Sequence, residues 1–307
     1  MTKRSALSKI GEFGFINVIK KMVKTDGSVL RGIGDDAAVL RFDKDKYLLL
    51  TVDMLIEGAH FRRNMNPYDI GHKALSCSIS DIAAMGGLPK YAVMSVGLPK
   101  DLNISYAKSL YKGIIDTANK YKINLVGGDT NRSDKIIIDI ALVGEVEKNK
   151  LVLRSKAKVG DLIFVTGFLG GSFKSGKHLR FIPRLNEARL LVDNYRINSM
   201  VDISDGLVQD LSHILEESRV GATIFAQAIP IDRTADLKSA LYDGEDFELL
   251  FTISKKESRK LIKDALENNF SFSIRPIGMI TDRKKGFSIV YGSGRERKLT
   301  VKGFRHF

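Results

Sequence analysis

The chain has 307 residues, 44% of them hydrophobic and 28% charged, and its 49 Lys and Arg outnumber 36 Asp and Glu for a formal charge of +13. This is the composition of a folded globular protein, and the length suggests two domains. Apolar stretches such as Tyr47–Val52 fall far short of the ~20 residues of a membrane span. No apolar signal core follows the basic N-terminus, and a lone cysteine, Cys77, excludes an internal disulfide; a cytoplasmic protein with no membrane partner is therefore expected.

Strand-like runs alternate with helical spacing, which predicts a mixed α/β (α+β) fold. Residues 47–52 read as a strand that ends in Asp53. Residues 68–87 read as a helix rich in small side chains (Ala74, Ser76, Cys77, Ser78, Ser80) and closed by Gly86-Gly87, so it should be buried, with Asp81 on the face of Ala74 and Cys77. Ala107, Leu110, Tyr111, Ile114, Ile115 and Ala118 predict an amphipathic helix over 104–121. A strand over 123–127 should lead into Gly127-Gly128-Asp129, and another should cover 136–143. The cation-rich stretch between Glu147 and Asp161 marks the expected junction of two domains, 1–148 and 149–307. Beyond it the pattern predicts strands at 162–166, 200–203, 222–226 and 247–253, helices over 207–219 and 255–268, and closing strands near 274–280 and 287–291.

Six aspartates stand where these runs end or turn: Asp36, Asp53, Asp81, Asp129, Asp202 and Asp205. The chain is strongly basic, yet these segments hold almost no Lys or Arg, and none lies between Val201 and Leu211. Carboxylates gathered without cations need another positive charge. Hard divalent ions such as Mg²⁺ take oxygen ligands and serve phosphate chemistry. A single motif such as Gly34-Asp35-Asp36 is an ordinary turn. Recurrence at widely separated positions predicts a site built by tertiary folding from both domains.

Other features have plainer readings. The basic pairs Lys20-Lys21, Arg62-Arg63 and Lys255-Lys256 are scattered and lack interleaved aromatics, so no nucleic-acid partner is expected. The stretch Gly171–His178 nearly matches a P-loop, but His178 replaces the hydroxyl residue that would hold Mg²⁺; it reads as a mobile basic segment. Cys77 reads as a buried apolar side chain. Tyr111 reads as helix core, Phe304 as C-terminal packing, and His60 as structural unless the neighbouring Asp53 makes it a substrate contact.

Taken in order, seven motifs resemble one family over essentially the whole chain. They are Gly-Ile-Gly-Asp-Asp-Ala-Ala (32–38), Thr-Val-Asp-Met-Leu-Ile-Glu-Gly-Ala-His-Phe (51–61), Lys-Ala-Leu-Ser with Ser-Asp-Ile-Ala-Ala-Met-Gly-Gly (73–87), and Gly-Gly-Asp-Thr (127–130). Val-Asp-Ile-Ser-Asp-Gly-Leu (201–207), Gly-Glu-Asp-Phe-Glu-Leu (244–249) and Lys-Gly-Phe-Arg-His-Phe (302–307) complete the set. The resemblance is to the thiamine-monophosphate kinases of the aminoimidazole-ribonucleotide-synthetase-like ATP-binding superfamily. It implies transfer of the γ-phosphoryl group of ATP to thiamine monophosphate, giving thiamine diphosphate. It implies a homodimer paired through the N-terminal domain, with a C-terminal α/β sandwich beside it.

By matching position, the resemblance implies several Mg²⁺ ions on Asp36, Asp53, Asp81, Asp129, Asp202 and Asp205, with Thr51 assisting. Tyr111, Gly128, Asp129, Arg154 and Ser204 would contact ATP, and His60, Glu245 and Phe304 the thiamine phosphate. No catalytic acid or base is expected, because a phosphate monoester with a second pKa of about 6 is already largely dianionic. Direct in-line transfer driven by metal and positioning follows. Two positions depart from the family pattern: Val52 replaces a hydroxyl residue that would offer a ligand, and Arg305 replaces an Asp.

Overall fold

The computed structural model describes residues 7–267 and 270–301. Its first sheet contains β1 (Val29–Arg31), β2 (Ala38–Arg41), β3 (Lys46–Ile56), β4 (Leu88–Leu98), β5 (Asn124–Arg132) and β6 (Ile137–Glu147), in the order β1-β2-β3-β6-β4-β5. All neighbours are antiparallel except β4 and β5. The second sheet contains β7 (Leu162–Thr166), β8 (Ile197–Asp202), β9 (Gly221–Phe225), β10 (Leu249–Ile253), β11 (Ile274–Thr281), β12 (Phe287–Val290) and β13 (Glu296–Lys298), in the order β13-β12-β9-β11-β7-β10-β8. The helices are α1 (Leu7–Met22), α2 (Pro67–Ala84), α3 (Ile104–Tyr121), the single turns α4 (Ser172–Ser175) and α5 (Lys177–Arg180), α6 (Leu185–Asn194), α7 (Leu207–Ser218), α8 (Leu237–Tyr242) and α9 (Lys255–Leu266). None of them is long and apolar enough to cross a membrane.

The small-residue helix is α2, and its composition explains its place. It packs on β3 and β6 of the first sheet, on β8 of the second, and on α3 and α6. Its residues are buried almost continuously from Ile70 to Ala84. Close approach to α3 requires the absence of two side chains. A Cβ on Gly71 would lie 2.0 Å from the Leu110 carbonyl oxygen, and one on Gly113 would lie 2.0 Å from that of Tyr68. Asn66 caps the helix by accepting the Tyr68 N–H, and Pro67 occupies its first turn, where no amide donor is needed.

One apolar core joins the halves. It collects Leu49 and Ile140 of the first sheet, Leu75 and Ile79 of α2, and Phe164 and Phe251 of the second sheet. A second core lies under α7, with Leu207, Leu211 and Ile214 against Val165 and Leu250. Strand β10 alternates between the two, since Leu249, Phe251 and Ile253 join the first core and Leu250 the second. The first sheet, by contrast, has one uncovered face. Leu50, Val52, Met54, Tyr91, Val93 and Val126 are between 41% and 61% exposed there.

The expected strands and helices are present, but two boundaries shift in ways that matter for function. Asp53 lies inside the long strand β3, and Gly127-Gly128-Asp129 lies inside β5, where glycine and aspartate suggest a stop. Strand β4 is absent from the sequence expectations, although Ala92, Met94 and Val96 are buried in alternation with exposed Tyr91, Val93 and Ser95. Gly71→Ala should destabilise the fold by roughly 1–3 kcal/mol or more through overpacking. Equilibrium denaturation checks this, and an unchanged midpoint would rule out the tight α2–α3 crossing.

Candidate active site

Helix α2 hands one polar group to each neighbour. The Ser78 hydroxyl donates to Asp53 on β3 at 2.7 Å, and the Ser80 hydroxyl donates to Asp202 at the end of β8 at 2.6 Å. Asp81 accepts from Thr51 at 2.5 Å. Thr51 and Asp53 are two residues apart, so the pleat of β3 turns both toward α2. Acids of both sheets, Asp53 inside β3 and Asp202 at the end of β8, thereby meet along one helix. Carboxylate oxygens of Asp36, Asp81 and Asp202 come within 4.8 Å of one another.

Burial is the main force on these carboxyls, and mutual repulsion adds to it. Asp36 is pushed up to about 7, Asp53 and Asp202 to about 6, and Asp81 well above its usual range. Two like unit charges 4 Å apart repel by about 4 kcal/mol at an effective dielectric of 20, so the group resists full ionisation. One cation does reach it, contrary to the cation-free appearance of the local sequence. Arg154 Nη2 donates to Asp36 Oδ1 at 2.6 Å, and its backbone N–H donates to Asp35 at 2.9 Å. Asp35 in turn takes Arg31, which separates the structural first acid of the pair from Asp36 in the cluster.

Among the described residues one guanidinium reaches the cluster, and it does not balance four buried carboxyls. Asp36 Oδ2 is buried with no hydrogen-bond partner among the described residues. Oxygen donors, an orphaned buried oxygen and a deficit of positive charge fit a hard divalent cation. The donor set suits Mg²⁺.

The rim of the cluster is built by two turns. Asp205, pushed up to about 7 mainly by burial, follows β8 in the loop before α7. Asp210 in the first turn of α7 braces that loop by accepting the backbone N–H groups of Asp205 and Gly206, both at 3.0 Å. His213 lies one turn further on; burial pushes its ring down to about 3, and Phe13 packs on it with ring centres 4.8 Å apart. Asp205, Asp210 and His213 also bring three ligand atoms within 4.8 Å. The sequence motifs single out neither Asp210 nor His213, although their helical i, i+3 spacing was legible.

The second turn carries Glu245. Gly244, Glu245 and Phe247 have φ of 70°, 61° and 50°. A Cβ on Gly244 would lie 2.5 Å from the Ser204 carbonyl oxygen, which itself accepts the Glu245 N–H at 2.7 Å. This folds residues 244–247 onto the Ser204–Asp205 loop. The Glu245 carboxylate pairs with Lys73 of α2. Burial alone would raise it, but the Lys73 ammonium beside it holds it below its usual value. His60 is buried nearby, with Nδ1 accepting the Ile56 N–H at 2.9 Å and its carbonyl accepting from Lys73 at 3.1 Å.

The remaining expected residues lie elsewhere. Asp129 is exposed on edge strand β5, hydrogen-bonded to Asn131 and to the Thr130 N–H. It pairs in register with exposed Ser95, on the face of the first sheet opposite Asp53. Gly128 answers a packing need, since a Cβ there would lie 1.9 Å from the Met94 carbonyl oxygen. Tyr111 is half-buried against the first core. Val52 is 61% exposed on the uncovered face, so the substitution removes nothing from the Asp53 side of the strand. Phe304 and Arg305 fall outside the described residues. The near-P-loop is no strand–loop–helix unit; it folds as α4 and α5, with Lys177 donating to Glu248 at 3.2 Å.

One cleft borders Asp35 and Arg154, and a second opens beside Asp243, two residues before Glu245. The first, of about 480 Å³, is lined by Phe13, Lys20, Asp35, Arg154, Gln209 and His213. The other, of about 780 Å³, is lined by Arg62, Met65, Phe173, Lys174, Asp236 and Asp243.

Residues 34–146 match the family model for the N-terminal domain of AIR synthase related proteins, and residues 158–291 match that for the C-terminal domain. The thiamine-monophosphate kinase of Buchnera aphidicola subsp. Acyrthosiphon pisum (strain APS) is 37% identical, aligned over 97% of this chain and 99% of its own. That of Bacillus subtilis (strain 168) is 34% identical, over 96% and 99%. The solved complex of AaThiL with AMPPCP and TMP superposes with a TM-score of 0.85 at 33% identity and covers both chains in full. Near-complete alignment to such relatives, with the clustered aspartates on the matched domains, settles the kinship: the chain belongs to the thiamine-monophosphate kinase family of AIR synthase related proteins.

Proposed function

We propose that this chain transfers the γ-phosphoryl group of ATP to thiamine monophosphate, forming thiamine diphosphate and ADP. The observation that carries this is the cluster of buried carboxylates where the two sheets meet along α2, left short of positive charge. Joining two polyanions is opposed by their repulsion, and catalysis of such transfers consists of positioning and charge neutralisation. Magnesium bound there would supply that neutralisation. Asp36, Asp81 and Asp202 would hold it, with Asp53 and Asp205 at the margins and Thr51 orienting Asp81.

In this reading Arg154, which lines the smaller cleft beside Asp36, meets ATP phosphates, and Ser204 lies on the adjoining loop. His60 and Glu245 border the acceptor side, where Arg62 and Asp243 open onto the larger cleft. Phe304 is assigned to the thiamine by matching position alone. No group in the cluster need act as a base, and the acceptor oxygen attacks in line. Tyr111, Gly128 and Asp129, the other expected nucleotide contacts, sit on α3 and β5. We assign the uncovered apolar face of the first sheet to a homodimer, because exposed apolar residues of this kind mark association surfaces. Asp129 shares that face, and its expected part in metal and nucleotide binding would be played at that interface.

The direct test is incubation with ATP, Mg²⁺ and thiamine monophosphate. Thiamine diphosphate should form; phosphorylation of free thiamine instead would overturn the acceptor assignment. Asp202→Asn should lower kcat by about a hundredfold or more, and Ser80→Ala, which only orients Asp202, should raise the Mg²⁺ requirement by about tenfold.

Acidity gives a separate prediction. Carboxyls raised on folding stabilise the protein at pH values below their unfolded pKa, and that contribution is lost as pH rises through the folded values. For Asp36, Asp53, Asp202 and Asp205 those are about 6 to 7. The metal-free protein should therefore melt at progressively lower temperature from pH 5 to pH 8. Mg²⁺ should restore more stability at pH 8 than at pH 5, and a flat profile insensitive to Mg²⁺ would contradict the metal assignment. Val52→Lys should convert the dimer to monomer by light scattering; a wild-type chain that is already monomeric would remove the interface.

A further inference from the structure

Lys73 is fully buried, the least tolerated condition for a lysine unless its charge is paired. Its ammonium carries three donors and finds three acceptors. These are the Glu245 carboxylate, the His60 carbonyl oxygen at 3.1 Å and His178 Nδ1 at 3.1 Å. Four segments of the chain therefore meet at one nitrogen: α2, the turn after β3, α5, and the turn before β10. With Lys73 donating, His178 accepts at Nδ1 and keeps its proton at Nε2. Phe173, which lines the larger cleft, stacks on the His178 ring with centres 4.4 Å apart.

Glu245 needs such an anchor. Its backbone and that of Phe247 lie in the left-handed region that non-glycine residues avoid, and such conformations persist only where surrounding contacts over-determine them. An unneutralised carboxylate at that position would repel an incoming phosphate.

We infer that Lys73 is a positioning residue for the acceptor side of the reaction: its ammonium fixes and neutralises Glu245, and through His60 and His178 sets the wall of the larger cleft. This rests on the assignment of Glu245 to the acceptor in the proposed function. Lys73 touches no reacting atom.

The test is a cycle of Lys73→Met, Glu245→Gln and the double variant, with KM measured separately for thiamine monophosphate and ATP. Lys73→Met should raise KM for thiamine monophosphate by about tenfold or more while leaving KM for ATP within about twofold. In the Glu245→Gln background the same change should alter KM for thiamine monophosphate by less than about twofold, because Lys73 acts through Glu245. An unchanged acceptor KM in Lys73→Met, an equal rise in both KM values, or additive effects would overturn the inference. The single variant strands a buried carboxylate, whereas the double variant strands no charge. If Lys73→Met fails to fold, the other two variants decide: an acceptor KM of the double variant equal to that of Glu245→Gln supports the inference, and a further rise of about tenfold refutes it. Wild-type protein inert toward thiamine monophosphate would remove the parent assignment itself; wild-type activity with an unaffected Lys73→Met removes only this one.

Discussion

An excess of buried carboxylate over buried cation, held where two sheets converge on one helix, is the constraint on which the rest of the structure depends. Burial and mutual repulsion push four of these carboxyls to about 6 or 7, against a usual carboxylate range near 4. A fold does not keep such a group unless something else repays it. Arg154 compensates in part at Asp36, and Ser78, Ser80 and Thr51 spend their hydroxyls on Asp53, Asp202 and Asp81. The remaining deficit is what a divalent ion and a polyphosphate together would fill.

Helix α2 makes that arrangement possible. Small side chains let it sit between the sheets, and glycine at 71 and at 113 lets α3 press against it. The same helix then has room to present serines to acids on both sides. It also carries Lys73, whose pairing with Glu245 ties the first half of the chain to the turn before β10. Packing and chemistry are thus solved by one element, and its small residues serve both.

Much of this was legible in the sequence, for reasons that differ by residue. The acids announced themselves because an acid at the end of an apolar or glycine-rich run is a local pattern, and it recurs. The α2 and α3 helices were visible in small-residue content and in apolar spacing. Long-range pairing was not visible: Arg154 reaches Asp36 across 118 positions, and Lys73 reaches Glu245 across 172. Turn-like residues misplaced Asp53 and Asp129 at strand ends, because ladder pairing carries β3 and β5 through them. The two faces of β3 were equally hidden, and so Val52 seemed to cost a ligand when its side chain lies on the opposite face from Asp53.

The central claim, that the carboxylates hold metal for phosphoryl transfer, is tested most directly by crystals grown with Mn²⁺, a non-hydrolysable ATP analogue and thiamine monophosphate. Anomalous scattering should place manganese between Asp36, Asp81 and Asp202, in contact with the nucleotide phosphates. A bound nucleotide with no anomalous peak among those three carboxylates would contradict it.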